Sequence, residues 1–416
     1  MTQEQAAAGA QPDTRQGDTG RRRVLEVDAL RGFALGGIAL ANILVMSGTF
    51  GPTAVDPARS GADLVAHWLV TALVETKFYL LFSFLFGYSF TLQMESARRA
   101  GAAFVPRMLR RLAGLLLLGA AHMALLYNGD ILTMYAVLGL VLLVARKAPA
   151  ERLWRAARWF FAVPLVLLLL VGLLVAATFT PDPSAAADAA REAARLADGI
   201  RGDAGDVIAA NLATWPDALG ALLLAGGSVI AAFLVGCGAG KRQLLTGGVV
   251  TPDRLRRTRA LGLAVGVPGG LLMAAGTVAP LPERWELLCF ALGMAAAPAL
   301  TAAYVSALML WFGTPRGARV AALLAPAGRM ALTNYLSQSL VMALVFTGYG
   351  LALYGRVGAA VAVAAGLALY AAQLFLSSRL LRRFAQGPVE WVLRTVTLGG
   401  PPRRSGMRDG GPSGRA

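Results

Sequence analysis

Stretches of about 20 apolar residues recur along the whole chain, and arginine-rich segments separate them. A helix of about 20 residues is long enough to cross the hydrocarbon core of a bilayer, which is about 30 Å thick. Only 15% of the residues are charged, whereas soluble proteins contain about 25%. The even spacing of the apolar runs predicts one all-α fold, a polytopic transmembrane helix bundle, rather than a series of soluble domains.

Ten apolar segments are predicted to be the helices of this bundle. They lie at 30–48, 70–93, 112–127, 131–145, 159–179, 217–239, 260–279, 287–312, 330–347 and 357–377. Residues 62–69 are amphipathic, and we expect them to lie in the membrane interface before the second segment. The long connection 180–216 contains an alanine-rich stretch with mixed charge, which predicts a surface helix over 184–200.

The positive charges give these segments an orientation, because cytoplasmic loops of membrane proteins are enriched in lysine and arginine. With the N-terminus inside, most of the 39 basic residues fall in cytoplasmic segments. The outer segments hold Arg59, Arg191, Arg195, Arg201, Arg284 and Arg356. We therefore expect about ten transmembrane helices with both termini in the cytoplasm. The net charge of +16 then reflects contact with the lipid bilayer and its anionic headgroups rather than nucleic-acid binding.

The chain divides into five parts on this pattern: a disordered cytoplasmic tail (1–22), an N-terminal membrane half (23–239), a basic cytoplasmic loop (240–259), a C-terminal membrane half (260–396) and a second disordered tail (397–416). No cleavable signal peptide is predicted. We expect a multi-pass protein of the bacterial inner (cytoplasmic) membrane. The two cysteines, Cys237 and Cys289, lie in apolar surroundings, and no spacing of residues indicates a metal site.

The first predicted helix carries a polar stripe. Asp28 and Arg31 are three residues apart, so they lie on one face and can pair. Asn42 follows Arg31 after eleven residues, close to three helical turns, about 16 Å further toward the outside. This stripe either has a function or consists of an arginine that extends to the cytoplasmic interface beside its own aspartate.

Ionisable residues at membrane depth are costly and mark functional candidates. Lys77 begins an aromatic-rich segment, where it requires a partner or a water-filled cavity. His122 precedes Asp130 and Tyr135, and histidine exchanges a proton near neutral pH. Asp130, predicted at the outer mouth, would orient His122 and fix its tautomer. The alternative is that His122 is a structural residue whose hydrogen bonds are satisfied.

The ninth segment carries two polar pairs at helical spacing. Asn334 and Gln338 are four residues apart, and so are Tyr335 and Ser339. Such a face either binds a polar ligand or connects neighbouring helices through hydrogen bonds.

Five short segments together resemble the bacterial YeiB-like proteins, whose C-terminal half is known as domain of unknown function 418. They are DALRGFA (28–34), FSFLFG (82–87), GDIL (129–132), GRMALTNYLSQS (328–339) and GPVEW (387–391). The resemblance covers about 22–396. The opening is also similar to two larger groups, the membrane acyltransferase-3 family and the heparan-α-glucosaminide N-acetyltransferases. The resemblance implies a member of the transmembrane acyltransferase superfamily, with an acyl-CoA such as acetyl-CoA as donor and a surface sugar or lipid as acceptor.

The chain departs from acyltransferase-3 members at one position. Those proteins have an essential histidine eleven residues after the first-helix arginine, and this chain has Asn42 there. An amide cannot act as a general base. His67 lies in the region where the glucosaminide-type relatives have their histidine, although somewhat later in the sequence.

The leading hypothesis is transfer of an acyl group with His122 as general base, Asp130 orienting it, and Arg31 binding donor phosphate or oxyanion charge. Asn334, Tyr335 and Gln338 would line the donor entrance. The further binding candidates are Asp28, Asn42, Lys77, Tyr135 and Ser339. The alternatives are a transporter or permease for a small polar solute, and a non-enzymatic membrane scaffold or sensor.

Overall fold

A computed structural model describes residues 14–50, 60–245 and 249–400, without the side chains of 14–24, 217–219 and 221–224. The regular elements of this part of the chain are helices, which confirms the all-α prediction. They are α1 (Thr14–Met46), α2 (Gly61–Leu73), α3 (Lys77–Arg99), α4 (Phe104–Leu125), α5 (Ile131–Ala145), α6 (Ala150–Thr178), α7 (Pro183–Arg201), α8 (Ala204–Ala213), α9 (Trp215–Lys241), α10 (Pro252–Thr277), α11 (Glu286–Phe312), α12 (Pro315–Arg329), α13 (Ala331–Phe346), α14 (Ala359–Arg383) and α15 (Pro388–Leu398).

Seven helical segments of the described residues are long and apolar enough to cross a membrane. They are Leu25–Met46, Gly61–Arg99, Phe104–Leu125, Ala150–Thr178, Pro252–Thr277, Glu283–Phe312 and Ala359–Arg383. Three shorter apolar helices, Ile131–Ala145, Ala225–Lys241 and Ala331–Phe346, match the other predicted segments. The chain is thus a multi-pass helical membrane protein. That the chain crosses the membrane ten times and that both termini lie in the cytoplasm stay predictions.

The segment 61–99 is broken between α2 and α3. Thr76 has a positive φ of 67°, and the Lys77 amide donates to the Glu75 carbonyl, so the chain makes a tight turn there. Helix α2 packs against α10 and α14. Asp63 Oδ1 accepts from the Ala360 amide at the start of α14, and Trp68 Nε1 donates to the Ala279 carbonyl just after α10.

Helix α12 was not predicted, because its arginines and prolines place its sequence among the loops. It packs against the first half of α1 with the two backbones nearly in contact. A Cβ atom at Gly32 would lie 2.3 Å from the Leu324 carbonyl oxygen, and one at Gly328 would lie 1.8 Å from that of Asp28. Two of the motif glycines are therefore required by a close helix crossing, which membrane proteins commonly build from small residues.

Helices α7 and α8, here called the cap helices, cover the turn between α4 and α5. The helix predicted over 184–200 is confirmed as α7. Ile200 accepts a backbone bond from Gly348, and Asn211 Nδ2 donates to the Ala124 carbonyl at 3.3 Å. Asn128 Nδ2 donates to Thr214 Oγ1 at 3.0 Å.

The two predicted tails fall mostly on residues 1–13 and 401–416, outside the described residues. Helix α1 already begins at Thr14.

Candidate functional site

A cavity of about 620 Å³ lies between α1, α3, α4, α5, α12, α13 and α15. Along α3 its lining extends from Ser96 to Phe82, which corresponds to about 21 Å of helix. This volume is in the range of small-molecule binding sites, about 300–1,000 Å³.

The lining changes from charged to apolar in one direction. Along α1 it passes from Arg31 to Ile38, and along α4 from Arg107 and Arg111 to Leu115. Helix α3 changes in the same sense, from Ser96 to Phe82. The cavity therefore has a charged end, beside the arginine-rich starts of α1 and α4, and an apolar inner end. It suits an elongated ligand with a charged head.

Arginines dominate the charged end. They are Arg31, Arg107, Arg111, Arg329 and Arg394, and the carboxylate that accompanies them is Glu390. Glu390 caps the start of α13: Oε1 accepts from the amides of Leu332 at 2.7 Å and Thr333 at 3.0 Å, and Oε2 accepts from Thr333 Oγ1 at 2.5 Å. The five arginines outnumber this one lining carboxylate, so the charged end carries excess positive charge that can bind an anion. Arginine is the preferred side chain for phosphate.

Two of these arginines show how the charged end is arranged. Arg31 forms the ion pair with Asp28 that their spacing predicted, and its other terminal nitrogen donates to Ser89 Oγ. Arg111 Nε is buried and has no hydrogen-bond partner among the described residues. A buried donor without a partner costs about 1–3 kcal/mol or more when charged, and an anionic ligand would remove that cost.

His122 and Asp130 are buried together beyond the inner end. Their Nδ1 and Oδ1 atoms are 2.9 Å apart, with side chains 1% and 0% exposed. The alignment of these two atoms is not that of a hydrogen bond, and His122 Nε2 also has no partner in the described structure. Asp130 Oδ2 accepts from the Thr133 amide and caps α5. Asp130 is buried, and its expected position at the outer mouth stays a prediction.

Tyr335 contacts both this pair and the cavity. Its ring centroid lies 5.1 Å from that of His122, and its hydroxyl accepts from the Ile131 amide at 3.4 Å. Tyr335, Ile131 and Tyr135 all line the inner end of the cavity. Tyr135 exchanges a hydrogen bond with Ser83 at 2.7 Å. The cavity and the buried pair therefore share the Tyr335 ring as a common neighbour.

The other polar residues of α13 lie on a different face. Asn334 Nδ2 donates to Ser377 Oγ at 2.9 Å, and Gln338 Nε2 donates to Gln373 Oε1 at 2.7 Å. Gln373 Nε2 in turn donates to the Asn334 carbonyl. We call this set of bonds the α13–α14 seam. Asn334 and Gln338 do not line the cavity, and a role for them in binding stays a prediction.

Three further candidates also lie outside the cavity lining. Ser339 is buried, and its hydroxyl donates to the Tyr335 carbonyl at 3.4 Å. Asn42 is half-buried on α1. The Lys77 side chain is wholly buried, and its Nζ donates to the Thr71 carbonyl at 2.9 Å, in the last turn of α2. Over the ranges that the structure covers, no group of three or more histidines, cysteines and acids could hold a metal ion.

Five charged residues of the cavity lining were not among the candidates predicted from the sequence: Arg107, Arg111, Arg329, Arg394 and Glu390. The arginines had been assigned to the cytoplasmic surface, where they would contact anionic lipid headgroups. The sequence does contain a pattern that could have identified two of these arginines. Arg107 and Arg111 are four residues apart, on one face of α4, with apolar Leu115 one turn further along that face.

Comparison with known proteins places the chain in a family. Residues 239–400 match the family described as "Protein of unknown function (DUF418)". Over 90% of its length the chain is 32% identical to "Uncharacterized protein YxaH" of Bacillus subtilis (strain 168), of which it covers 94%. It is 31% identical to "Uncharacterized protein YeiB" of Escherichia coli (strain K12), of which it covers 96%. The chain belongs to the YeiB-like family.

The DUF418 match divides the cavity of this YeiB-like chain between two halves. Arg329, Tyr335 and Arg394 lie within the match, whereas Arg31 and His122 lie before it. A third relative, the "Uncharacterized 39.9 kDa protein in amylase 3'region" of Bacillus acidopullulyticus, is 29% identical over 90% of the chain and is covered to 94%. The similarity to all three relatives covers 90% of the chain, so it extends beyond the DUF418 match into the N-terminal half.

Proposed function

We propose that the protein is a membrane acyltransferase that moves an acyl group from a cytoplasmic acyl-CoA to an extracytoplasmic or lipid-linked acceptor. One observation carries the proposal: an arginine-lined cavity ends at Tyr335, and the buried His122–Asp130 pair lies directly behind that residue. We place both termini and the charged end of the cavity on the cytoplasmic side of a bacterial inner membrane, as the positive charges predict.

An acyl-CoA matches the shape and charge of this cavity. Its phosphates would bind Arg31, Arg107 and Arg111 at the charged end. Its pantetheine arm is about 15 Å long on standard bond lengths and angles, comparable to the lining along α3. The thioester would then lie at the inner end, against Tyr335 and Tyr135.

His122 would act as the general base of the transfer. Its Nε2 takes the proton of the acceptor's hydroxyl or amine while the acceptor oxygen or nitrogen forms a bond to the acyl carbonyl carbon. The carbon–sulfur bond then breaks, and the leaving CoA thiolate receives the proton from His122. Asp130 Oδ1, 2.9 Å from Nδ1, would accept a hydrogen bond from it once the two groups align in the reacting complex, and would so set the tautomer. In this scheme His122 supplies the base that Asn42 cannot.

Transfer to a small nucleophile tests the proposal without knowledge of the acceptor. Detergent-purified protein would be given acetyl-CoA or palmitoyl-CoA with hydroxylamine as acceptor probe, and thiol release and hydroxamate would be measured. We expect His122→Ala to lose transfer while the protein stays folded, and His67→Gln to retain it. Equal rates for His122→Ala and the wild type would contradict the assignment.

The helix break between α2 and α3 favours a second candidate, a transporter for a small polar solute. Interrupted helices with buried ionisable residues are typical of transporter binding sites, and Lys77 lies at this break, wholly buried. Solute flux in proteoliposomes that is lost in Lys77→Met, with no acyl transfer by the wild type, would support this candidate over the enzyme.

A further inference from the structure

The N-terminus of α5 faces the inner end of the cavity. This helix has 15 residues, Asp130 caps it, and its first residues Ile131 and Leu132 line the cavity. A helix N-terminus carries partial positive charge and amide groups that bind negative charge. Beside it lies a buried group that points to a ligand, because His122 is 2% exposed and its Nε2 has no partner in the described part of the chain.

Glycine allows α4 to approach this helix end closely. A Cβ atom at Gly119 would lie 2.5 Å from the Thr133 amide nitrogen and 2.6 Å from Asp130 Oδ2. Without a side chain at this position, α4 brings His122 against the first turn of α5. The closeness of the base and the helix end is therefore a property of the backbone packing.

Tyr335 adds a hydroxyl at the same place. It is 3% exposed and lines the cavity, and its oxygen accepts from the Ile131 amide. In that contact the amide is the donor, so the phenolic proton stays available, and no acceptor for it occurs among the contacts of the described residues. A buried hydroxyl with a free proton is suited to bind an oxygen atom of a ligand.

We infer that the Tyr335 hydroxyl and the N-terminus of α5 form the oxyanion site of the transfer reaction. This inference rests on the proposed function. The thioester carbonyl oxygen accepts from Tyr335, and it becomes negative when the acceptor attacks. Fixed donors in a dry site stabilise that charge more strongly than water does. Tyr335 touches the reacting carbonyl and is a catalytic residue in this sense.

Arg31 is poorly placed for this role. Its guanidinium is bonded to Asp28 and Ser89. Ile38, at the inner end, follows it by seven residues, or about 10 Å along α1. Of the two alternative roles that the sequence analysis gave to Arg31, phosphate binding therefore stays with the arginines, and we assign oxyanion stabilisation to Tyr335.

Kinetics give the first test. Tyr335→Phe keeps the ring and removes the hydroxyl, and loss of one oxyanion donor lowers kcat by about 10²–10³-fold. We expect that loss with unchanged affinity for the donor. The control is Tyr79→Phe, which removes another buried hydroxyl, bonded to Ser228 and outside the cavity lining. Its kcat should stay close to that of the wild type. Wild-type kcat in Tyr335→Phe would overturn the inference and leave the proposed function standing.

Infrared spectroscopy gives a second test that requires no acceptor. The carbonyl stretch of acetyl-CoA labelled with ¹³C at the thioester carbon would be measured in solution and bound to each variant. When acetyl-CoA is bound to the wild type or to Tyr79→Phe, we expect its carbonyl stretch to lie at a lower wavenumber than in solution. When it is bound to Tyr335→Phe, the stretch should lie near the solution value. A thioester that binds without any shift in the wild type overturns the oxyanion site alone. Failure of the folded wild type to bind acetyl-CoA or palmitoyl-CoA overturns the proposed function together with it.

Discussion

Helix α13 carries polar side chains on two faces, and the two faces differ in what their polar atoms contact. Toward α14, the side chains bond across the two helices: Asn334 Nδ2 donates to Ser377, Gln338 Nε2 donates to Gln373, and Gln373 Nε2 donates to the Asn334 carbonyl, while Gln338 Oε1 has no partner in the described structure. Toward the cavity, Tyr335 adjoins buried atoms without partners in the described structure, among them His122 Nε2. In the sequence, Asn334 and Tyr335, which belong to different faces, are neighbouring residues of one motif.

The difference separates a structural role from a ligand-binding role. Hydrogen bonds between membrane helices hold a bundle together, whereas an unpaired buried polar atom destabilises the fold unless a ligand completes it. We therefore expect the α13–α14 seam to determine stability and the cavity side to determine donor binding and transfer. Each of the following substitutions tests one side of this division.

The largest effect is expected for Asp130→Asn. Asparagine can still cap α5, but it no longer fixes the protonated Nδ1 of His122. Transfer to hydroxylamine should fall by about 10²–10⁴-fold, while the thermal unfolding midpoint changes little.

Asp130→Ala is the matched variant, since it removes the cap as well. It should lose transfer to the same extent and also lower stability by about 1 kcal/mol. If Asp130→Asn transferred at the wild-type rate, His122 would not depend on Asp130 for its orientation.

Arg111→Gln should come next, with donor affinity reduced by about 10–100-fold, because a hydrogen bond to a charged group contributes about 1.5–3 kcal/mol. Stability should not fall, since Arg111 Nε has no partner in the described structure. Titration with acetyl-CoA and a thermal melt measure both quantities. Arg158→Gln, an exposed arginine on α6 outside the cavity lining, is the control and should bind as the wild type does.

Gln373→Leu tests the seam. It removes bonds to Asn334, Ser337 and Gln338, and we expect a loss of about 1–2 kcal/mol in stability with unchanged donor affinity. Ser378→Ala on the same helix loses a bond to its own backbone at Leu374 and should be nearly neutral. If Gln373→Leu bound the donor more weakly but unfolded at the wild-type temperature, the seam would have a role in ligand binding rather than in stability.

The smallest effect is expected for Glu390→Gln. The neutral amide can still accept from α13, but it loses the interaction of a charge with the helix N-terminus, worth about 0.3–1 kcal/mol. The thermal unfolding midpoint should fall slightly. Donor affinity should not decrease, because the substitution removes a negative charge that repels the donor phosphates from the charged end of the cavity. A clear loss of affinity would show that Glu390 contacts the donor itself.

The sequence predicted the helices well and the site only in part, for physical reasons. Membrane helices are fixed by local hydropathy, so nine of the ten predicted segments each lie within one helix, to within a few residues, whereas the second, 70–93, contains the break between α2 and α3. Helix α12 was missed because its arginines and prolines resemble those of a loop, while its close packing against Gly32 of α1 is not visible in the local sequence. His122 and Asp130 are close in sequence, and their pairing was predicted from that. The cavity joins residues from helices far apart in the chain, such as Arg31, Arg111 and Arg394, and no local pattern predicts such a set.

Protection of a cysteine in the cavity would test most directly the claim that it holds the donor. Gln93 lines the cavity, and both native cysteines are buried, so Gln93→Cys supplies a reporter for a membrane-impermeant maleimide added to the cytoplasmic face of vesicles. We expect acetyl-CoA or palmitoyl-CoA to slow labelling of this cysteine in a saturable way, and to leave Arg158→Cys unaffected. Equal labelling of Gln93→Cys with and without either donor at saturating concentration would contradict the assignment of the cavity as the donor site.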